Sequence, residues 1–145
     1  MQLPEYVSKE EVKRVCEELG LRDWTLIDEP VVEDDEAEVI MKVVNVNNMD
    51  IPLEEFRRGL EIELEHGTMY EDANVTNNHP VLTGKIVLAH LKEMMDYYER
   101  LEVAEIEGDL LKAIMAKNMA KVESKYKKLA AAREDLARVI TDQLS

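Results

Sequence analysis

Trp24-Thr25-Leu26-Ile27, then Glu33-Asp34-Asp35-Glu36, then Val39-Ile40-Met41-Lys42-Val43-Val44 is the stretch whose reading decides between an all-helical chain and a mixed one. Two runs rich in β-branched residues flank an acidic cluster, which reads as a β-hairpin over about residues 24–46 with the acids in a solvated turn. A lone hairpin is marginal in water, so it must lie on helices or pair with another chain. To either side the pattern is helical. Ser8 with Glu11 forms a capping box, and Val12, Val15, Cys16 and Leu19 recur at helical spacing until Gly20. Beyond the hairpin, Asp50 and Pro52 open a second helix whose stripe Leu53, Phe56, Leu60 and Leu64 runs to Gly67. Residues 68–82 hold Asn74, Asn77, Asn78, His79 and Pro80, too long and polar for a minimal helix connection and hence a candidate functional loop. A third helix is predicted from about Thr83 to Glu107.

No Gly or Pro occurs from Asp109 to Ser145, so the end of the chain reads as one helix about 50 Å long at 1.5 Å per residue. On it Met115, Met119, Val122, Tyr126, Leu129, Leu136 and Ile140 follow steps of four and three, with Arg133 as the one polar intruder. Such a heptad stripe is a seam for a partner helix, and Arg133 would set register or partner choice by reaching a carboxylate across it. The predicted fold is mostly α: a small helical bundle with a β-hairpin near the N-terminus and a long C-terminal coiled-coil-like helix. Residues 1–107 form the helical domain and 108–145 the extended helix.

The 145 residues suffice for one core. Acids outnumber bases 32 to 18, a formal charge of -14, which argues against nucleic acid or an anionic membrane as the main partner. The excess is uneven. Residues 1–50 carry 14 acids and 5 bases, 51–100 carry 10 and 5, and 101–145 carry 8 of each, with Lys117, Lys121, Lys125 and Lys128 along one face. The single cysteine excludes an internal disulfide, no apolar run approaches a membrane span, and Met1 to Val12 lacks the order of a signal peptide. These features predict a cytoplasmic protein, or one held within a virion or a protein compartment. Phosphate loops, nucleophile elbows and EF-hand spacings are not found in the sequence, and Cys16 falls on an apolar helix face, as a core cysteine does.

One constellation has the residue types for chemistry. Glu63 and His66 fall on the Phe56/Leu60 side of their helix while Glu61 and Glu65 turn to water; His90, Glu93 and Tyr97 share the face of Ile86 and Leu101. In an antiparallel pair, Glu63, His66, His90 and Glu93 would converge. Imidazoles and carboxylates at this step suit iron, manganese or zinc, as in ferritin-like di-metal proteins. They equally suit a metal-free hydrogen-bonded network that includes Tyr97 and fixes the helix pair. His79, before Pro80, reads as a loop residue.

The blocks Glu61-Ile-Glu-Leu-Glu-His-Gly67, Pro80-Val-Leu-Thr-Gly-Lys85, Ala89-His-Leu-Lys-Glu93 and Asp96-Tyr-Tyr98 resemble a family of microbial and phage genomes known as an uncharacterised domain. The likeness spans about residues 50–107, implies a helical fold, and takes in His66, His90, Glu93, Tyr97 and Tyr98 without implying an activity. The expectation is a non-enzymatic structural or assembly protein, a homo-oligomer or part of a larger assembly, with a ferritin-like or other metal-binding protein completed by dimerisation as the alternative.

Overall fold

The computed structural model describes residues 7–145; residues 1–6, the first half of the stretch inspected for a signal, lie outside it. Its α-helices in chain order are α1 (Lys9–Leu19), α2 (Asp34–Val44), α3 (Leu53–Met69), α4 (Pro80–Glu93), α5 (Tyr97–Met115) and α6 (Met119–Gln143), with single 3₁₀ turns at Trp24–Leu26 and Glu71–Ala73. There is no strand among the described residues. The chain divides into two compact units, residues 1–92 and 93–145, a boundary earlier than the expected one after Glu107.

In the first unit, α1 follows its sequence signals. The Ser8 hydroxyl accepts from the Glu11 N–H at 3.2 Å, and Gly20 ends the helix at φ 70°, donating back to the Cys16 and Glu17 carbonyls. Cys16 is a free, buried thiol that burial pushes up from its ordinary pKa, as befits a core residue.

The expected hairpin at residues 24–46 is overturned. Its second half is helix α2, and the acids read as a turn are that helix's N-terminus. Glu33 is the N-cap; its side chain takes the Glu36 N–H while the Glu36 carboxylate takes the Glu33 N–H, a capping box built from two glutamates. Asp34, Asp35 and Glu36 then fill the first turn, where the helix dipole favours negative charge. Ala37, Ile40 and Val44 point inward at helical spacing, so the β-branched run supplies a core stripe to a helix rather than one face of a sheet. Glu36 is itself buried and holds the first half of the stretch in place. Its Oε1 accepts from Arg22 Nε at 3.0 Å and from the Trp24 indole at 3.3 Å, and its Oε2 takes Arg22 Nη2 at 2.6 Å. Burial pushes this carboxyl up; the Arg22 guanidinium, the Glu33 N–H and the Trp24 indole outweigh it and leave the group below its ordinary value.

Helix α3 packs on α2. Arg57 Nε reaches Asp34 at 2.9 Å, and Glu61, expected to face water, accepts the Val32 N–H at 3.1 Å and pairs with Arg57 at 2.8 Å. Gly84 brings α4 close to both: a Cβ there would stand 2.5 Å from Ile40 Cγ2 and 3.5 Å from the Phe56 ring. The buried Val12, Trp24, Ile40, Phe56, Leu60, Leu64, Val87 and Leu91 are large apolar members of this unit's interior.

The second unit corrects two helix expectations. The predicted third helix from Thr83 to Glu107 is two helices, parted at Met94–Asp96, and α5 passes through Gly108 and Asp109 without a break. The predicted 50 Å helix does not exist, because the chain reverses at Ala116-Lys117-Asn118. Lys117 adopts φ 54°; its N–H donates to the Ile114 carbonyl at 2.9 Å and that of Asn118 to the Ala113 carbonyl at 3.0 Å, a Schellman closure with lysine where glycine is usual. Asn118 then caps α6, its side chain accepting from the Lys121 N–H at 3.1 Å. The pairs Lys125–Asp109 and Arg133–Glu107, both at 2.6 Å, run in opposite chain directions, so α5 and α6 form an antiparallel hairpin.

That hairpin closes part of the predicted seam within the chain. Leu129 and Ala132 pack with Ile106, Val103 and Leu110; Leu136 and Ile140 are half-buried, and Arg133 is exposed and paired with Glu107 of its own hairpin rather than with a carboxylate of another chain. At the other end Met115, Met119 and Tyr126 stand open, and Val122 is half-buried. No helix among the described residues is long and apolar enough to cross a membrane.

Candidate functional site

Two places qualify, one in each unit. In the first, Glu63 projects from the inner side of α3 with its side chain 14% exposed, and its carboxylate is shared between two imidazoles. His90 Nδ1, from α4, lies 3.1 Å from Oε1, a hydrogen-bond distance; His66 Nδ1, one turn further along α3, lies 4.0 Å from Oε2. His66 is 47% exposed, so it does not face the core as its position on the wheel predicts. Three of the four expected side chains therefore gather around the Glu63 carboxylate. Glu93 ends α4, is exposed, and is counted with the second unit. Tyr97 opens α5 in that unit, its ring edge-on to the buried Tyr98 at 5.2 Å. Among the described residues no group of three or more His, Cys, Asp and Glu side chains is arranged to hold a metal ion. The geometry supplies a carboxylate that orients histidines, with His90 held and His66 facing solvent.

The loop after α3 closes over the same helix end. Asn74 Nδ2 donates to the Gly67 carbonyl at 3.1 Å and to Asn78 Oδ1 at 2.8 Å. The approach is so close that a Cβ on Gly67 would fall 2.4 Å from Asn78 Oδ1, which gives the glycine of the Glu-Leu-Glu-His-Gly block its packing reason. Asn77 and Asn78 take the left-handed conformation that asparagine tolerates, and a polar cleft of about 290 Å³ opens beside Gly67 and Thr68. His79, read from sequence as an uncommitted loop residue, is buried and functions as the cap of α4. Its Nδ1 accepts the Leu82 N–H at 3.3 Å and its carbonyl the Thr83 N–H at 2.9 Å, with Pro80 in the first helical position. The signal for it was His-Pro ahead of an apolar run, a cap written with imidazole instead of hydroxyl or carboxylate.

In the second unit the turn between α5 and α6 exposes Leu111, Ile114, Met115, Met119 and Tyr126, with Met115 at 75%, Met119 at 73% and Tyr126 at 65%. A groove runs along the first turns of α6 between Met119, Val122 and Tyr126. Glu123 and Lys127 also line it and pair with each other at 2.7 Å, while Lys121 and Lys128 lie on the opposite face of α6. The described residues are thus mostly helical, with a Glu/His cluster in the first unit and an exposed apolar hairpin turn in the second. The chain belongs to the family described as protein of unknown function DUF5661, whose pattern matches residues 12–107. The match takes in the Glu/His body and most of α5, and ends before the tip. No curated protein and no solved structure matches the chain.

Proposed function

We propose that this is a non-enzymatic structural or assembly protein in which the Glu63–His90 pair braces a rigid helical body and the α5–α6 hairpin carries the docking surface. The observation that carries the reading is the exposure of Met119 and Tyr126 along one groove on the first turns of α6. Scattered apolar residues are ordinary on a protein surface, but long flexible and aromatic side chains gathered at a helix-hairpin tip are what a partner interface uses. The metal-binding alternative rests on the residue types of Glu63, His66, His90 and Glu93, of which Glu63, His66 and His90 lie near one another.

The test is a photo-crosslinking residue placed at Met119 in cells that make the protein, with the exposed Ala137 as control. Crosslinks to protein from position 119 and none from 137 are expected. A chain that crosslinks from neither position, or equally from both, contradicts the reading.

A further inference from the structure

The polar loop after α3 shapes the cleft of about 290 Å³ in the first unit. Its walls come from three separate pieces of chain: the start of α1 at Lys9, residues 25–28, and the end of α3 with the loop that carries Glu71 and Asn78. The third wall is held in one shape. Asn77 and Asn78 stand at φ 48° and 61°, Asn74 bridges Gly67 to Asn78, and the Asn77 amide donates to the Val7 carbonyl just ahead of α1. A preformed wall lowers the ordering cost of binding a small molecule.

The charges around the cleft are not spent on one another. Lys9 forms no ion pair with a described residue, and neither do the carboxylates of Asp28 and Glu71; all three side chains are exposed. Asn78 Oδ1 is engaged by Asn74 at 2.8 Å, while Asn78 Nδ2 donates to no described residue. The cleft therefore offers an ammonium and an amide donor together with two carboxylates. A neutral sugar would leave all three charges unmatched, and a dicarboxylate would set like charges against Asp28 and Glu71. The full set is matched by a molecule with one carboxylate and two cationic groups, and the volume, at the small end of the range for ligand pockets, suits a single small metabolite.

We propose that this cleft binds a free basic amino acid of the arginine or lysine kind, with its carboxylate on Lys9 and the Asn78 amide and its two cationic groups on Asp28 and Glu71. The site lies within the first unit and does not depend on the docking role of the α5–α6 hairpin. Its contacts are charge-assisted but hydrated, so the dissociation constant is about 0.1–1 mM and rises with salt.

The test is a titration of the isotope-labelled full chain at neutral pH, followed by amide NMR, with L-arginine, L-lysine, L-citrulline, agmatine and L-glutamate as probes. Citrulline keeps the shape of arginine without the side-chain charge, and agmatine lacks the carboxylate. Arginine and lysine should give saturable shifts at Gly67, Thr68 and Asn78; citrulline and agmatine should each bind about tenfold more weakly than arginine, and glutamate should not saturate. Three variants at exposed positions, Lys9→Gln, Asp28→Asn and Glu71→Gln, each checked by thermal melting, should each weaken arginine about tenfold. Lys9→Gln should leave agmatine binding unchanged, because agmatine has no carboxylate to lose. The proposal is overturned by the absence of saturable shifts with arginine up to about 10 mM, by equal binding of arginine and glutamate, or by arginine binding that all three variants leave unchanged. It is overturned equally if calcium chloride shifts the same amides and arginine does not, which would make the two carboxylates a cation site.

Discussion

At the scale of single residues, Glu36 is a buried carboxylate that ties together separate parts of the first unit. It caps α2, pairs with Arg22 and satisfies the Trp24 indole, so Glu36→Ala removes three kinds of contact and leaves a buried N–H without its acceptor. Since Arg22 remains half-exposed and can rehydrate, the cost should be about 2–3 kcal/mol rather than that of a fully buried pair, read from urea denaturation. The carboxyl sits below its ordinary value of 4.5, so its share of stability is complete above that pH and is lost as the pH falls through the lower folded value. Wild-type stability should accordingly drop more steeply below pH 4.5 than that of Glu36→Ala. The Glu/His cluster gives a sharper comparison. Glu63 is enclosed and holds His90, so Glu63→Ala should cost about 1–2 kcal/mol, whereas exposed Glu93→Ala should stay within about 0.5 kcal/mol. Equal effects at the two positions would mean that Glu93 shares the load.

At the scale of elements, what was legible followed the chemistry of the caps. Ser8, Glu11 and Gly20 are the usual residues for their positions, and α1 was readable to the residue. The chain reversal was hidden because lysine occupies the left-handed position that a glycine would have advertised, so an unbroken 109–145 helix was the natural expectation. The false hairpin had a related cause: a capping box of two glutamates looks like a polar turn, and a short β-branched run does not distinguish a strand from the inner face of a helix. In the candidate site, the residue types around Glu63 were readable from their helical spacing. The outward turn of His66 was not, since it depends on how α3 ends against its loop. Two predictions belong here. Lys117→Gly removes the side-chain cost of a positive φ and should raise the melting temperature, by an amount equivalent to at most about 1 kcal/mol. His79→Ala should lower stability by about 1 kcal/mol, and His79→Asn should keep the cap. Burial holds His79 below its ordinary 6.5, so it contributes fully as the neutral acceptor above that pH and progressively less as the pH falls toward its folded value. Melts at about pH 7.5 and about pH 5.5 should diverge for the wild type and converge for His79→Asn.

At the scale of the whole molecule, charge is divided unevenly. Residues 1–92 carry 21 acids and 9 bases, residues 93–145 carry 11 and 9, and within the second group seven of the bases fall between residues 112 and 133 while five of the acids lie on α5. The family match ends at residue 107, within α5, and so leaves out the turn between α5 and α6. The most direct measurement is hydroxyl-radical footprinting of methionines in intact producing cells and in the dilute purified chain. Met115 and Met119 should oxidise rapidly in the dilute chain and be protected in cells, while Met69, exposed on the other unit, oxidises alike in both. Met115 and Met119 oxidising in cells as readily as Met69 would contradict the assignment of the tip as a docking surface.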